Sequence, residues 1–474
     1  MGIGVVGCRG TTHDRLWWTR GVMIAVGTLG GAGRVVSAAE LQASVARVDL
    51  TPPPALQATL GGYGERMSRP AEGIHDRVFA KALVLTDGTR RFAIVTADIL
   101  GFPPRLKQAV VERLAADRWT SAQIMLLPSH SHTSIEMMQI HPGNCLPIRQ
   151  IGLFRPEVYE WTVRHLVDVI RRASATLVDC SVGASQRELE GWNVNRRDDQ
   201  GPVDRQLTVV RIDTRPGKPL AVLVNWTAHP TLMSAEDMLF SGGWPGHLQR
   251  TLEALIGGGV TVLYFNGAEG DQRPVARPDS GPSRWERAER YGRELALTAH
   301  QVFQQATPRW DVAFAYHLQA IALPARVAHP QFMQTGGQEY GLTSALMDLL
   351  LATLVPAETS SGCLRLGDLV LVGIPGELTA DLGLEIKQQA ATITGAPCPT
   401  IGGLANEWVG YILSPGEYSK GGYEASVSFY GSQLGATIVD GALAGIRRLA
   451  AQDMQISQCA GGSPPKERPG CGGQ

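Results

Sequence analysis

Residues 124–134 read IMLLPSHSHTS, an apolar run that ends in a His-x-His pair. In an extended backbone, residues i and i+2 point to the same side, so His130 and His132 can enter one pocket. Such a pair at the end of a buried strand is typical of a metal site, and two histidines hydrogen-bonded within a polar loop are the alternative. The choice between the two depends on the rest of the chain.

One arrangement recurs along the chain, in which an apolar strand ends at a polar residue and a helix-like stretch follows. The strands end at Asp98, His130, His229, residues 266–271 and Glu377. This alternation predicts an α/β fold with a mixed, largely parallel sheet flanked by helices. Because ligands bind beyond the carboxyl ends of the strands in such sheets, we expect the five strand ends to share one pocket.

The helices and one hairpin of this fold are visible in the apolar pattern. Two apolar runs, residues 78–86 and 92–97, flank Asp87-Gly88 and predict a β-hairpin. Apolar positions at helical spacing follow each strand end and occur again near the C-terminus. The predicted helices cover residues 104–116, 157–177, 246–256, 285–305, 378–393 and 432–451.

Composition and charge limit the function classes. The 474 residues are 44% hydrophobic and carry a formal net charge of −1, so the chain is not basic enough for nucleic-acid binding. No internal repeat or strong boundary interrupts residues 39–455, which predicts a single domain there. Residues 456–474 are rich in Gly and Pro and are predicted to be a disordered tail.

The N-terminus shows the order of features found in a secretory signal. Two arginines precede an apolar and small-residue run, residues 21–33, and a small-x-small site ends at Ala38. We therefore predict a signal peptide at residues 1–38 and export to the periplasm or the extracellular space. An uncleaved signal anchor is the alternative, because Arg34 interrupts the run. No later apolar stretch is long enough to span a bilayer.

Cysteine usage suits an exported protein. Six of the seven cysteines follow the predicted signal peptide, and none of them forms a C-x-x-C motif, so we do not expect a cysteine-bound metal. Disulfides are allowed in that compartment, and the sequence does not choose among the pairings. The six are Cys145, Cys180, Cys363, Cys398, Cys459 and Cys471.

The distant strand ends together offer several candidate metal ligands, which are His130, His132, His229, Glu377, Asp98 and Asp271. Two histidines and a carboxylate are the usual ligands of a hydrolytic zinc and leave a position for water. Singly, His229 has the alternative role of a loop cap and Glu377 that of a carboxylate at a helix N-terminus. Asp98 and Asp271 are candidates for orienting the imidazoles or, equally, for capping the loops.

Short motifs along the chain agree in order and spacing with those of one family. They are residues 73–77, 96–98, 129–132, 195–196, 228–230, 266–271, 375–377 and 411–431. On these motifs, the chain from about Val48 to Gly441 resembles the N-terminal catalytic domain of the neutral/alkaline non-lysosomal ceramidases, zinc-dependent amidases of N-acyl sphingosine. It resembles them as a divergent, bacterial-type member.

The resemblance implies roles for individual residues. His132 falls where the family keeps a second active-site histidine near the metal, and Arg196 matches an arginine that contacts the substrate or its developing charge. Tyr423 lies in the region of a catalytic tyrosine. The resemblance also implies one zinc ion per chain. Its ligands would be His130, His229, Glu377 and Tyr411.

The chain departs from the family pattern at its serine. Residues 270–274 read GDQRP, and Arg273 stands where the family has an essential serine. An arginine stays protonated and cannot carry an acyl group, so we predict direct attack by zinc-activated water. Arg273 is predicted to bind an anionic group or to steady the oxyanion, and a surface arginine paired with Glu269 or Asp271 is the alternative.

Two further departures concern the shape of the protein. The loop that follows Arg196 is shorter than in the family, which predicts a more open substrate pocket. We also expect the C-terminal immunoglobulin-like domain of the family to be missing. The chain would then consist of a single catalytic domain.

The sequence thus predicts an exported zinc-dependent hydrolase of an amide or related acyl bond. Its substrate would be a small amphiphilic acyl compound similar to ceramide, and the chain allows peripheral contact with a membrane surface. A zinc esterase or lactonase on the same scaffold is one alternative. A non-catalytic, zinc-stabilised protein that binds a lipid or a glycan is the other.

Overall fold

The structure is a computed structural model that describes residues 40–460, except Pro216, Pro278, Thr335 and Tyr340. The predicted signal peptide and residues 461–474 of the predicted tail lie outside this range. No helix in the described range is both long enough and apolar enough to cross a membrane.

The strands of the described residues form two larger sheets and three two-stranded ladders. In chain order they are β1 (Gln42–Asp49), β2 (Gly73–Ile74), β3 (Phe79–Thr86), β4 (Arg91–Ala97), β5 (Ile124–Pro128), β6 (Val178–Glu188), β7 (Asn193–Asn195), β8 (Gln206–Thr214), β9 (Pro219–Trp226), β10 (Leu239–Phe240), β11 (Thr261–Asn266), β12 (Gln272–Pro274), β13 (Phe314–Ala322), β14 (Glu358–Leu366), β15 (Leu369–Gly373), β16 (Glu377–Leu378), β17 (Cys398–Gly402) and β18 (Tyr411–Ile412).

The α-helices pack against these sheets or lie in the loops between strands. In chain order they are α1 (Leu106–Arg113), α2 (Pro156–Ala173), α3 (Gly243–Ile256), α4 (Arg284–Gln305), α5 (Gly336–Glu339), α6 (Ser344–Thr353), α7 (Ala380–Thr394), α8 (Pro415–Ser419), α9 (Gly422–Ser426) and α10 (Leu434–Ala460).

The larger sheet has eight strands in the order β11-β9-β8-β6-β1-β3-β4-β5. Twisted sheets coil, and this one coils until its outer strands β11 and β5 approach each other. The loop after β5 carries His130, and the loop after β9, next to β11, carries His229. Coiling of the sheet therefore brings two histidines together that lie near opposite ends of the strand order.

The second sheet, β13-β14-β15-β17, packs face to face on the first. Leu83, Ile94 and Leu127 of the first sheet share one buried cluster with Leu364 and Leu371 of the second. Helices α1 to α4 cover the other face of the first sheet, and α7 and α10 cover the other face of the second. The result is a four-layer arrangement of helices, sheet, sheet and helices.

The predicted mixed α/β fold is confirmed, but fewer strand pairs are parallel than the sequence indicated. In the larger sheet β4 pairs with β5, and β9 with β11, in parallel, while the other five neighbouring pairs are antiparallel. Parallel neighbours need a crossover connection, which contains α1 between β4 and β5 and α3 between β9 and β11, whereas the antiparallel pairs β3–β4, the predicted hairpin, and β8–β9 are joined directly.

The predicted helices at five strand ends are present as α1, α2, α3, α4 and α7, with ends shifted by a few residues. The C-terminal helix α10 continues to Ala460, beyond the predicted end of the domain at residue 455. The cysteines whose side chains are described carry free thiols. They are Cys145, Cys180, Cys363 and Cys398.

Candidate active site

The loop after β5 positions His130. The backbone N–H of His130 donates to the carbonyl oxygen of Ile99 at 3.1 Å, and Nδ1 donates to the carbonyl oxygen of Leu100 at 2.5 Å. The residue has a φ angle of 59°, a left-handed conformation that is uncommon outside glycine and clusters at functional sites. These bonds fix the imidazole so that the lone pair of Nε2 points away from Leu100.

His229 is fixed in the same way from the other side. Its backbone N–H donates to the carbonyl oxygen of Gln272 at 2.9 Å, and Nδ1 donates to the carbonyl oxygen of Glu269 at 3.1 Å. Burial, followed by the charge of Arg196, lowers the pKa of His229 well below its ordinary value, so the ring is neutral. Its Nε2 then lies 3.0 Å from Nε2 of His130.

A short parallel ladder supplies the carboxylate and the tyrosine. Strands β16 and β18 pair in a register that places Glu377 directly beside Tyr411. Oε2 of Glu377 lies 3.6 Å from Nε2 of His130 and 3.5 Å from Nε2 of His229. The other carboxylate oxygen, Oε1, accepts a hydrogen bond of 2.9 Å from the indole N–H of Trp408.

These atoms fit a divalent cation. Because both Nδ1 atoms donate to carbonyl oxygens, the two Nε2 atoms face each other with their lone pairs, which is repulsive without a cation between them. Oε2 of Glu377 has no hydrogen-bond partner among the described residues, although it is buried. Burial raises the pKa of Glu377, but neighbouring groups, among them the indole N–H of Trp408, outweigh burial and lower the pKa below its ordinary value.

Arg196 lies beside the tyrosine of this group. Its Nη2 donates to Oη of Tyr411 at 3.0 Å and to the carbonyl oxygen of Gly270 at 2.8 Å, and its Nε donates to Glu424 at 2.8 Å. Burial opposes its charge, but Tyr411, Glu424 and Glu377 raise the pKa of Arg196 above its ordinary value. Burial, with the charge of Glu377, raises the pKa of Tyr411, and Arg196 opposes that rise.

His132 completes a triangle of imidazoles. Its ring centroid lies 5.0 Å from that of His130 and 5.3 Å from that of His229. Neither ring nitrogen has a partner within the part of the chain that the structure describes, and burial lowers the pKa of the ring well below its ordinary value. Gly62 makes room for the ring, since a Cβ at Gly62 would lie 2.2 Å from Nδ1 of His132.

A cavity of about 130 Å³ opens onto these groups. His130, His132, His229, Glu377 and Tyr411 line it together with the partly exposed Tyr423. Its remaining lining is mainly apolar and comes from several loops and from α6. The apolar side chains are Leu100, Met137, Met138, Ile151, Phe332, Leu350, Leu354, Val355, Leu404, Val427 and Phe429.

Two side chains of the site, one buried and one half-buried, are not among the residues predicted from the sequence. Glu269 can join His130 and Glu377 around one point, and neither of its carboxylate oxygens has a described partner. Burial and the charge of Glu377 raise the pKa of Glu269 well above its ordinary value. The other is Trp408, which holds Glu377. The sequence does contain a signal for Glu269, because this residue follows a buried strand in the NGAEGD stretch, residues 266–271.

The structure contradicts the orienting role considered for two aspartates. Asp98 accepts hydrogen bonds from the N–H of Phe79 and from Gln249, not from an imidazole. Asp271 accepts from Asn195 and from the backbone N–H of Ala380 at the start of α7. Both are loop caps, and backbone carbonyls orient the histidines instead.

Arg273 lies apart from the other predicted site residues. It belongs to the short strand β12, which pairs with β7, and its side chain is exposed to solvent while its neighbours Gln272 and Pro274 are buried. It is not among the residues that line the cavity. The other seven predicted residues lie at the cavity or, in the case of Arg196, contact one that does.

Comparison with known proteins agrees with this arrangement. Residues 42–262 match the family described as neutral/alkaline non-lysosomal ceramidase, N-terminal. The chain is 24% identical over 461 residues to a neutral ceramidase of Mycobacterium tuberculosis, an alignment that covers 78% of this chain and 71% of the relative. Over residues 42–262 the chain is therefore similar to the neutral/alkaline non-lysosomal ceramidases.

Two further neutral ceramidases extend the likeness. A neutral ceramidase of Drosophila melanogaster is 24% identical over 529 residues, which covers 85% of this chain and 73% of the relative. The crystal structure of the neutral ceramidase from Pseudomonas aeruginosa superposes with a TM-score of 0.74 at 19% identity, over 88% of this chain and 75% of that chain. The ceramidase fold is therefore shared across both layers of sheet.

Proposed function

We propose that the chain is a zinc-dependent hydrolase that cleaves the amide bond of a ceramide-like N-acyl lipid, with water as the nucleophile. One observation carries the proposal: the free lone pairs of His130, His229 and Glu377 converge within 3.6 Å at the wall of a mainly apolar cavity. Two imidazoles and a carboxylate suit a catalytic zinc with a position left for water, and the phenol oxygen of Tyr411 lies beside them as a further donor. The relatives, named neutral ceramidases, suggest the substrate class.

Each group of the site has a role in such a reaction. Zinc held there would polarise the amide carbonyl and lower the pKa of a water molecule. His132, neutral and without a described partner, can accept the proton of the attacking water at a ring nitrogen and pass it to the leaving amine. Arg196 stays charged and fixed on Tyr411, so it can stabilise negative charge that develops on the carbonyl oxygen. The products are a carboxylate and an amine.

The lining of the cavity supports an acyl lipid as substrate. Leu350, Val355 and Phe429 are among eleven apolar side chains that would contact a hydrocarbon chain. Burial of each methylene group contributes about 0.8 kcal/mol. An acyl chain of ordinary length could therefore supply most of the binding energy.

We also propose export and peripheral contact with lipid surfaces. Export rests on residues 1–38 alone, which lie outside the described part of the chain. The lipid contact rests on α6, which lines the cavity with Leu350 and exposes 41% of the adjacent Leu349. Flotation with liposomes tests it: Leu349→Glu should reduce binding, and unchanged flotation of that variant would contradict this contact.

A substrate panel with the zinc-loaded protein tests the proposed function. Matched amides, esters and lactones with the same acyl chain should show zinc-dependent hydrolysis of the amide, and removal of zinc by a chelator should abolish it. Rapid-mix kinetics should show no burst of the first product, and intact mass spectra should show no acylated protein, because no serine is present at position 273.

The other outcomes point to the alternatives. Turnover of esters or lactones without amides would identify an esterase or lactonase instead. Full zinc occupancy with no turnover of any acyl substrate would identify a non-catalytic binding protein. A burst with an acylated peak would show that another residue acts as a nucleophile.

A further inference from the structure

Glu269 is a buried carboxylate of the site to which the proposed reaction assigns no role. It lies in the loop between β11 and β12, and its backbone carbonyl oxygen accepts the hydrogen bond from Nδ1 of His229. Its exposed fraction is 0%, and it is not among the residues that line the cavity. The carboxylate therefore lies beside the candidate metal ligands but outside the space that a substrate would enter.

The protein itself leaves this carboxylate unsatisfied. Neither oxygen of Glu269 has a hydrogen-bond partner, and no ion pair to Glu269 occurs, within the described part of the chain. Arg196 donates instead to three other groups, which are Tyr411, Glu424 and the carbonyl oxygen of Gly270. Ionised, Glu269 is a buried charge without a counter-ion, and protonated, it is a buried hydroxyl without an acceptor. Both forms are costly, which points to a group that the protein binds.

The neighbours of Glu269 are candidate metal ligands. One carboxylate oxygen of Glu269, one of Glu377 and a ring nitrogen of His130 lie within 4.8 Å of one another. Oε2 of Glu377 is likewise buried without a described partner. These donor atoms are close enough to contact a single cation, and the orphaned oxygens come from two different segments of the chain.

The charge of the two carboxylates matches a divalent cation. Ionised Glu269 and Glu377 carry two negative charges in a buried place, and one divalent cation neutralises both. The chain also makes room for the carboxylate of Glu269, because a Cβ at Gly403 would lie 2.4 Å from its Oε2. A side chain at position 403 would push the carboxylate out of this place.

We propose that Glu269 is a further protein ligand of the active-site metal, which then has two histidines and two carboxylates around it. The set is His130, His229, Glu269 and Glu377. This inference rests on the proposed zinc-dependent hydrolysis and adds a ligand to it. Because Glu269 lies outside the cavity lining, it leaves the cavity side of the metal open to water and substrate. A second carboxylate also makes the site harder, so that it binds Mn²⁺ as well as Zn²⁺.

Titration of the metal-free protein with Zn²⁺ and with Mn²⁺ tests the ligand. Glu269→Gln replaces an anionic ligand by a neutral amide of the same shape. Its Zn²⁺ affinity should fall by more than about 10-fold, the smaller loss found when only an outer partner of a metal ligand is removed. Its Mn²⁺ affinity should fall by a larger factor, because Mn²⁺ prefers carboxylate oxygens to imidazoles.

Asp98→Asn is the matched control. Asp98 is similarly buried, but its carboxylate accepts hydrogen bonds from the N–H of Phe79 and from Gln249. The variant should keep both metal affinities within about 2-fold of the wild type. Equal losses in the two variants would show that any buried carboxylate supports the site through folding, and would overturn the ligand role of Glu269.

Thermal unfolding separates a ligand from a structural residue. Without metal, Glu269→Gln removes a repulsion between two buried carboxylates, so its Tm should equal or exceed that of the wild type. With saturating Zn²⁺ the wild type should have the higher Tm, because tighter binding to the folded state stabilises it more. A lower Tm of the variant in both states would indicate a structural role and would overturn the proposal.

A measurement on the wild type keeps the test independent of the variant. In zinc-loaded crystals, an oxygen of Glu269 should lie about 2.0–2.2 Å from the anomalous peak of the metal, and a separation above about 3 Å would overturn the ligand role. Zinc-dependent amide hydrolysis with unchanged metal affinity in Glu269→Gln would reject this inference alone. A loss of metal affinity in that variant, without amide hydrolysis by the wild type, would reject the proposed function alone.

Discussion

Among the described residues, histidine and carboxylate side chains gather at two places with different surroundings. The first, the cavity cluster, consists of His130, His229 and Glu377. The second, the outer cluster, consists of His75, Asp76 and His247. Each contains two histidines and one carboxylate. In the cavity cluster, hydrogen bonds to backbone carbonyls turn both Nε2 lone pairs inward, and Oε2 of Glu377 faces them without a described partner.

In the outer cluster, Asp76 and His247 already have their lone pairs in use. Asp76 accepts hydrogen bonds from Ser241 and from the N–H of Gly242, and it forms an ion pair of 2.9 Å with Arg250. Arg250 also donates to Nδ1 of His247, so Nε2 of that ring carries the proton. A metal at this place would have to displace a guanidinium.

The difference shows that residue type and proximity do not define a metal site. Both clusters have suitable ligand atoms within reach of one another. Only the cavity cluster leaves those atoms unsatisfied and aimed at one point. The hydrogen bonds of the neighbours, which the sequence does not display, therefore separate the two.

Removal of one histidine from each cluster should give the largest contrast. His229→Ala should lose bound zinc and reduce kcat/KM by more than about 100-fold, since loss of an outer partner of a metal ligand alone costs about 10-fold to 100-fold. His247→Ala should keep one zinc per chain and most activity. Metal analysis and kinetics of both purified variants measure this. Zinc loss from His247→Ala alone would reverse the assignment.

Arg196 should give the second largest effect. Arg196→Ala removes the charge bonded to Tyr411 and should lower kcat by about 100-fold with less change in KM, as for other groups that stabilise transition-state charge. Arg197→Ala is the matched control, because Arg197 binds Glu417 and Glu424 but not Tyr411. Equal losses in the two variants would indicate that the ion-pair network acts only on folding.

The free energy of unfolding should depend on pH because of His247 in the outer cluster. Burial, with the charge of Arg250, lowers the pKa of His247 from 6.5 to about 4. The unfolded chain binds more protons between these values, so this residue contributes stability that is present above pH 6.5 and is lost as pH falls through about 4. His247→Leu should flatten that part of the curve by about 1–2 kcal/mol. Urea unfolding at pH 4.5 and pH 7 measures it, and parallel curves for both proteins would contradict it.

Arg273 should give the smallest effect. Its side chain is exposed and outside the cavity lining, so Arg273→Ala should change kcat/KM by less than about 2-fold for neutral substrates. The sequence predicted a greater loss with anionic substrates than with neutral ones. Measurement of both substrate classes decides the matter, since a selective loss with anionic substrates would place Arg273 at the reaction after all.

Much of the fold could be predicted from apolar patterns, and the missed parts have a physical cause. The hairpin of β3 and β4 was found because Asp87-Gly88 separates two apolar runs. The hairpin of β14 and β15 has a shorter turn at Gly367-Asp368, with Leu366 paired to Leu369, but β14 reads ETSSGCLRL and lacks the apolar run that would predict a strand. The packing of two sheets depends on contacts between distant segments, which no local pattern reports.

The site could be predicted only in part for a similar reason. His130 and His229 follow buried strands, so their positions were readable from the sequence. Tyr411 entered through the resemblance, because its neighbour Glu377 is brought beside it by a ladder of two-residue strands that carry no periodic signal. The exposure of Arg273 depends on the pairing of β12 with β7, which the GDQRP segment does not reveal.

Anomalous diffraction at the zinc absorption edge, from crystals of the zinc-loaded wild type, tests the central claim most directly. We expect one strong peak between Nε2 of His130, Nε2 of His229 and Oε2 of Glu377, with distances of about 2.0–2.2 Å to the ligand atoms. We expect no peak beside Asp76. A peak at the outer cluster with none in the cavity, or an empty cavity in crystals grown with excess zinc, would contradict the account.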